Sequence, residues 1–97
     1  MFTVLIEQRA AYDIQDSIDY YDEKQIGLGL KFKNAIDKEF IAMVQNPFYQ
    51  IRYGNVRCRL VKKIPYLIHF NVNELNKCVS VFAVINTSKD PNTNWIK

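Results

Sequence analysis

The dipeptide Asn46-Pro47 divides this chain into two halves with different apolar periods, and that change constrains the fold more than any other feature. Proline disfavours an α conformation in the residue before it, so a helix running into Asn46 must end there. Upstream, apolar residues recur at three- and four-residue steps. Ala11, Ile14, Ile18 and Tyr21 do so over about Gln8 to Lys24, and Phe32, Ala35, Ile36, Phe40, Met43 and Val44 over about Leu30 to Gln45. Each set lies on one face of a helix. Asp13, Asp16, Asp19, Asp22 and Glu23 fall off the first stripe and read as a solvated face. Between the helices, QIGLG at 25 to 29 brings two glycines able to take positive φ, which suits a tight connection. It follows a helix and lacks the third glycine of a dinucleotide fingerprint, so it reads as a turn.

Downstream, the pattern is strand-like. Segments from about Gln50 to Lys63, Tyr66 to Val72 and Cys78 to Asn86 are separated by Pro65 and by the polar loop Asn73 to Lys77. FTVLIE, residues 2 to 7, adds a strand at the start. VSVFAVI is apolar on both parities, as expected of a central strand covered on both sides. Two helices with a short link form a hairpin, and their stripes need a sheet to cover. The expectation is one α+β domain spanning 1–97, in the order β-α-α-β-β-β, with the hairpin on one face of a mainly antiparallel sheet.

The longest apolar runs, VLI and VFAVI, fall far short of the ~20 residues of a membrane-spanning helix. MFTVLIEQR lacks the basic start and cleavage site of a secretory signal, so the expected location is the cytoplasm. Cys58 and Cys78 are well separated, have no neighbouring His and fit no zinc spacing; they read as reduced, buried thiols, with no metal or cofactor implied. The net charge of +3 conceals an asymmetry. Residues 1–46 carry five Lys or Arg against eight Asp or Glu, whereas residues 47–97 carry eight against two. Such a split bears on partners rather than on fold.

The basic half is densest in RCRLVKKIPYLIHF, residues 57 to 70. Alternation places Val56, Cys58, Leu60 and Ile64 toward the helices and Arg57, Arg59 and Lys63, with Val61, on the helix-free face. Lys62 breaks this parity and reads as a bulge or strand end. The cations then stand at intervals of about 7 Å, counting ~3.4 Å per residue. That spacing suits a phosphate backbone or a carboxylate-rich peptide. It equally suits a solvated face whose long side chains guard against aggregation.

The string AAYDIQDSIDYYDEKQIGLGLKF, then NP, the basic strand with IPYLIHF, VSVFAVINTSKDP and Trp95 resembles the RelE/ParE superfamily of bacterial toxins over nearly the whole chain. The resemblance implies the toxin half of a type II toxin-antitoxin, or plasmid stabilisation, system, neutralised by a small antitoxin protein. RelE-like members of the superfamily cleave mRNA at the ribosome; ParE-like members act on DNA gyrase. Arg57 and Arg59 match paired basic positions of the nuclease branch, and Lys89 falls where that branch has a late Arg. Leu67, however, stands where the nucleases often have an Arg, Asn86 replaces a common His, and the late Tyr is absent, with Trp95 nearby.

RNA cleavage needs groups that move protons near neutral pH, and arginine is too basic for that. His69 is the one obvious titrating candidate, on the parity of Leu67 and Asn71 and opposite Tyr66, Ile68 and Phe70. The residues support anion binding better than catalysis. The leading reading is therefore a ParE-like toxin whose Arg57, Arg59, Lys63 and Lys89 contact the target. The alternative is an mRNA endoribonuclease with a degenerate site drawn from Arg57, Arg59, His69 and Lys89. A third reading is a non-toxic diverged binding module. A homodimer is compatible with each. Trp95 is expected to fold back as an anchor.

Overall fold

The computed structural model describes residues 1–61 and 63–87, so Lys62, Lys89 and Trp95 lie outside the described residues. Its elements are β1 (Thr3–Ile6), α1 (Gln8–Lys24), α2 (Leu28–Gln45), β2 (Ile51–Tyr53), β3 (Val56–Leu60), β4 (Tyr66–Asn73) and β5 (Cys78–Asn86). The strands form one sheet in the order β1-β5-β4-β3-β2; β1 runs parallel to β5 and every other pairing is antiparallel. The α+β class and the helical hairpin on a mainly antiparallel sheet agree with the sequence reading. The segment expected as one strand from Gln50 to Lys63 is instead a hairpin of β2 and β3, because Gly54 takes φ +51 and turns the chain.

The hairpin α1–α2 closes more tightly than its glycines suggest. Gly27 has φ +90 and supplies the left-handed turn, but Gly29 belongs to α2 and serves close approach. A Cβ there would stand 2.6 Å from the Ile18 carbonyl oxygen and 2.8 Å from the Asp22 carboxylate. Asp22 Oδ1 accepts the Gly29 N–H at 2.9 Å, satisfying one of the orphan donors at the start of α2 with a negative charge suited to the helix dipole. Asp13 is likewise more than a solvated acid: its Oδ2 accepts the Val84 N–H at 3.0 Å and ties α1 to β5.

The core lies between the hairpin and one face of the sheet. Tyr21, Phe32 and Tyr66 meet at its centre, with Phe32 and Tyr66 centroids 4.8 Å apart and edge to face. The Tyr66 hydroxyl donates to Tyr21 at 3.3 Å, so its polar end is not stranded. Ile36 and Met43 from α2 and Ile68, Phe70, Val79 and Val81 from the sheet complete the packing. Burial of each such side chain is worth roughly 1.5–3 kcal/mol. On α1 the buried positions are Ala10 and Tyr21, while Ala11, expected on the stripe, is exposed.

The mixed parity of VSVFAVI has a local cause. Phe70 pairs with Val81 and His69 with Ala83, leaving Phe82 as the extra residue of a β-bulge. Val79, Val81 and Val84 therefore all reach the helix side, on which Phe70 and Ile68 lie. Of the opposite side, Ala83 beside His69 is buried, but Ser80 and Phe82 are only half-buried and Ile85 is exposed, so the second face of β5 is covered only in part. No helix among the described residues is long and apolar enough to cross a membrane.

Candidate functional site

The basic strand is turned over relative to the sequence reading. Arg57 pairs with Phe70 and Arg59 with Ile68, and directly paired residues share a face. Because Ile68 and Phe70 are fully buried against the helices, both arginines point to the helix side, whereas Cys58 and Leu60 point away. Val61, 2% exposed, continues the arginine parity into the core and anchors it there. The expected cation row on the helix-free face does not form.

The two arginines have different settings. Arg57 Nη1 donates to the Tyr49 carbonyl at 2.7 Å and its guanidinium lies 5.4 Å from the Phe48 ring centroid, bracing the segment that follows α2. Arg59 Nε donates to Glu39 Oε1 at 2.7 Å and its guanidinium stacks 4.5 Å from the Tyr49 ring. The hydrogen bond to Glu39 raises the Arg59 pKa above its usual value against the opposing effect of burial. Glu39 is a carboxylate only 5% exposed within the apolar stripe of α2. A buried charge in such a place is costly unless paired, and apolar replacements of such pairs are often neutral or stabilising. Its clearest effect here is to fix the direction of the Arg59 fork.

Arg59 borders a cleft of about 700 Å³ between α2 and the turn after β3. Lys31, Asn34, Ala35, Lys38 and Ala42 come from α2 at helical spacing, and Lys63 and Ile64 come from the turn. Lys63 holds φ 71, a left-handed conformation that costs a non-glycine residue roughly 1–2 kcal/mol. Among the described residues, four cations thus face one carboxylate, which is already bonded to Arg59. Such a lining attracts an anion of small-molecule or side-chain size. Of the expected target-binding residues, the structure brings Arg59 and Lys63 to this cleft and leaves Arg57 outside its lining. Lys31 and Lys38 were missed; their seven-residue separation, interleaved with Ala35 and Ala42, was the available signal.

His69 lies on the helix-free face. Its Nδ1 is 3.4 Å from the Tyr53 hydroxyl and 3.5 Å from Cys58 Sγ, and its ring centroid is 6.2 Å from that of Phe82. The direction of both contacts depends on the imidazole tautomer, and the Nε2–H tautomer lets hydroxyl and thiol both donate to Nδ1. Burial holds the His69 pKa below its usual value, reinforced by the positive charges of Arg52 and Arg9. Burial pushes the Cys58 thiol up, opposed by Arg52. The sheet stands between His69 and the Arg59 guanidinium, so these two members of the expected degenerate cleavage site do not meet.

No protein-family model and no curated protein matches the sequence. Among solved structures, the chain is similar to one from the chromosomal ParDE TA system from P. aeruginosa, with a TM-score of 0.77 at 18% identity over 91% of this chain and 98% of that one. It is also similar to the isolated E. coli RelE toxin, with a TM-score of 0.64 at 11% identity over 93% and 88% of the two chains. A chain of the intact E. coli RelBE toxin-antitoxin complex gives 0.63 at 12% identity over 93% and 100%. The chain has the RelE/ParE fold. Within this RelE/ParE fold the ParDE chain superposes better than the other two, and the likeness extends over both the hairpin and the sheet that frame the cleft.

Proposed function

We propose that this chain is the toxin half of a type II toxin-antitoxin pair of the ParE-like branch, acting in the cytoplasm and neutralised by a cognate antitoxin. The observation that carries the reading is the fold likeness to the ParDE chain over nine-tenths of the length. The cleft adds chemistry: a guanidinium oriented by Glu39, with Lys31, Lys38 and Lys63 around it, suits acidic side chains on a protein target. A gyrase-type target fits this better than RNA cleavage at the same cleft, where no proton-transferring imidazole stands beside Arg59. Lys89, assigned to the target contact from sequence, stays part of the proposal.

The test is controlled induction of the chain in a bacterial host, with and without the adjacent reading frame. Growth arrest relieved by co-expression, with loss of negative supercoiling in a reporter plasmid, is the expected result. Arrest of translation with unchanged supercoiling would refute the branch, and uninterrupted growth would favour a non-toxic binding module.

A second reading rests on the helix-free face. His69, held neutral and lying within the fields of Arg52 and Arg9 beside Tyr53, has the groups that a ribosome-dependent mRNA endoribonuclease needs: a proton acceptor and cations for a phosphate. Under this reading His69→Gln abolishes mRNA cleavage on translating ribosomes, whereas Lys38→Glu leaves it unchanged.

A further inference from the structure

Three neighbouring strands each send one side chain to a single point on the helix-free face. Tyr53 comes from β2, Cys58 from β3 and His69 from β4, with Cys58 and His69 directly paired across the ladder. The donor atoms converge on His69 Nδ1, at 3.5 Å to Cys58 Sγ and 3.4 Å to the Tyr53 oxygen. The Tyr53 contact is long for a hydrogen bond, the Cys58 contact is of ordinary length for one involving sulfur, and in the Nε2–H tautomer both groups share one lone pair.

Those distances fit a metal. Tetrahedral Zn²⁺ holds sulfur at ~2.3 Å and nitrogen or oxygen at ~2.0–2.1 Å, so a sulfur and a nitrogen ligand stand about 3.5 Å apart and a nitrogen and an oxygen about 3.3 Å apart. We propose that Tyr53, Cys58 and His69 form a site for a thiophilic divalent transition metal such as Zn²⁺, with water completing the tetrahedron. The neutral imidazole gives its Nδ1 lone pair. Cys58 and Tyr53 each lose a proton to solvent as the metal–sulfur and metal–oxygen bonds form. The dication with one thiolate and one phenolate is neutral, so Arg52 and Arg9 meet no added positive charge.

Sequence spacing hides this site because its ligands come from three strands. Among the described residues no three His, Cys, Asp or Glu side chains gather, so the phenol is what raises the count to three. The affinity is accordingly below that of a four-ligand structural site. Cys58 and His69 are half-buried, and Tyr53 is exposed, leaving the point reachable from solvent. The mechanical effect is specific: β2 is a three-residue edge strand with every residue exposed, and the metal ties it to β3 and β4. This inference is independent of the toxin assignment.

Cobalt(II) chloride is the probe, added to the purified chain freed of metal with a chelator. The wild type is expected to show sulfur-to-cobalt charge transfer and the intense ligand-field bands of a tetrahedral site. Cys58→Ser loses the charge transfer, and His69→Gln and Tyr53→Phe weaken the ligand field. Cys78→Ser, whose thiol instead bonds the Asn76 carbonyl, leaves the spectrum unchanged. Zinc sulfate should also raise the unfolding temperature of the wild type but not of Cys58→Ser. Circular dichroism checks that each variant folds, and Tyr53→Phe, at an exposed ring, keeps the test open if His69→Gln does not. A wild type without thiolate charge transfer, or a band that follows Cys78 instead of Cys58, overturns the proposal.

Discussion

Arg59 reaches from the sheet to Glu39 on α2, Nε to Oε1 at 2.7 Å, and holds a carboxylate that the core has almost closed off from water. The two partners are unequally buried, with side-chain exposures of 29% for Arg59 and 6% for Glu39, and this sets an asymmetry. Arg59→Met takes the guanidinium from a buried charge and is expected to cost about 2–3 kcal/mol. Glu39→Gln keeps a carbonyl oxygen for the Nε–H and leaves a guanidinium that reaches water, so its cost is expected to be about 1 kcal/mol or less. Urea unfolding of the two variants checks the order, and equal costs would mean that the pair is screened by solvent.

The inverted parity of β3 makes a second, independent expectation. Val61 is 2% exposed and shares the arginine face, whereas Leu60, a larger apolar residue, is 60% exposed. Val61→Ala should cost about 1–2 kcal/mol through the cavity it leaves, and Leu60→Ala should stay within about 0.5 kcal/mol. The reverse order would restore the face assignment read from sequence.

That parity shows where the sequence stopped being informative. The two helices, their stripes (apart from Ala11) and the loop Asn73–Lys77 could be read locally, because helical period and turn chemistry are properties of neighbouring residues. So could the opposition of His69 to Tyr66, Ile68 and Phe70 along one strand. Over β3 and the residue after it both parities carry an apolar residue, Cys58 or Leu60 on one and Val61 on the other, and only pairing with Ile68 and Phe70 chooses between them. Glu39 looked like an ordinary polar residue because its partner lies twenty positions away on another element. The meeting of Tyr53, Cys58 and His69 is likewise a product of strand pairing.

Gly29 isolates a backbone requirement. Replacing glycine by alanine in a helix ordinarily gains up to ~1 kcal/mol. Here the added methyl would meet the Ile18 carbonyl oxygen, a backbone atom that cannot rotate away, as well as the Asp22 carboxylate that bonds the Gly29 N–H. Gly29→Ala is therefore expected to destabilise by about 1–3 kcal/mol as the hairpin is forced apart. A neutral or stabilising result in thermal unfolding would show that α1 and α2 separate at little cost.

His69 gives the stability a pH dependence of definite sign. Its folded pKa lies below the usual value of about 6.5, first because burial disfavours the imidazolium and then because Arg52 and Arg9 repel it. As pH falls through about 6.5 the unfolded chain takes up the proton first, which favours unfolding. The contribution of His69 is thus fully present above about 6.5 and is lost as the pH drops through the lower folded value. In the presence of a chelator, the urea midpoint of the wild type should fall between about pH 7.5 and pH 5 by more than that of His69→Gln, which has no imidazole to protonate. Arg52→Gln should move the imidazole titration, followed by NMR, upward. A wild-type profile that matches His69→Gln would mean that the imidazole is as well solvated in the folded chain as in the unfolded one, and a titration that Arg52→Gln leaves in place would remove the Arg52 charge from the causes and leave burial.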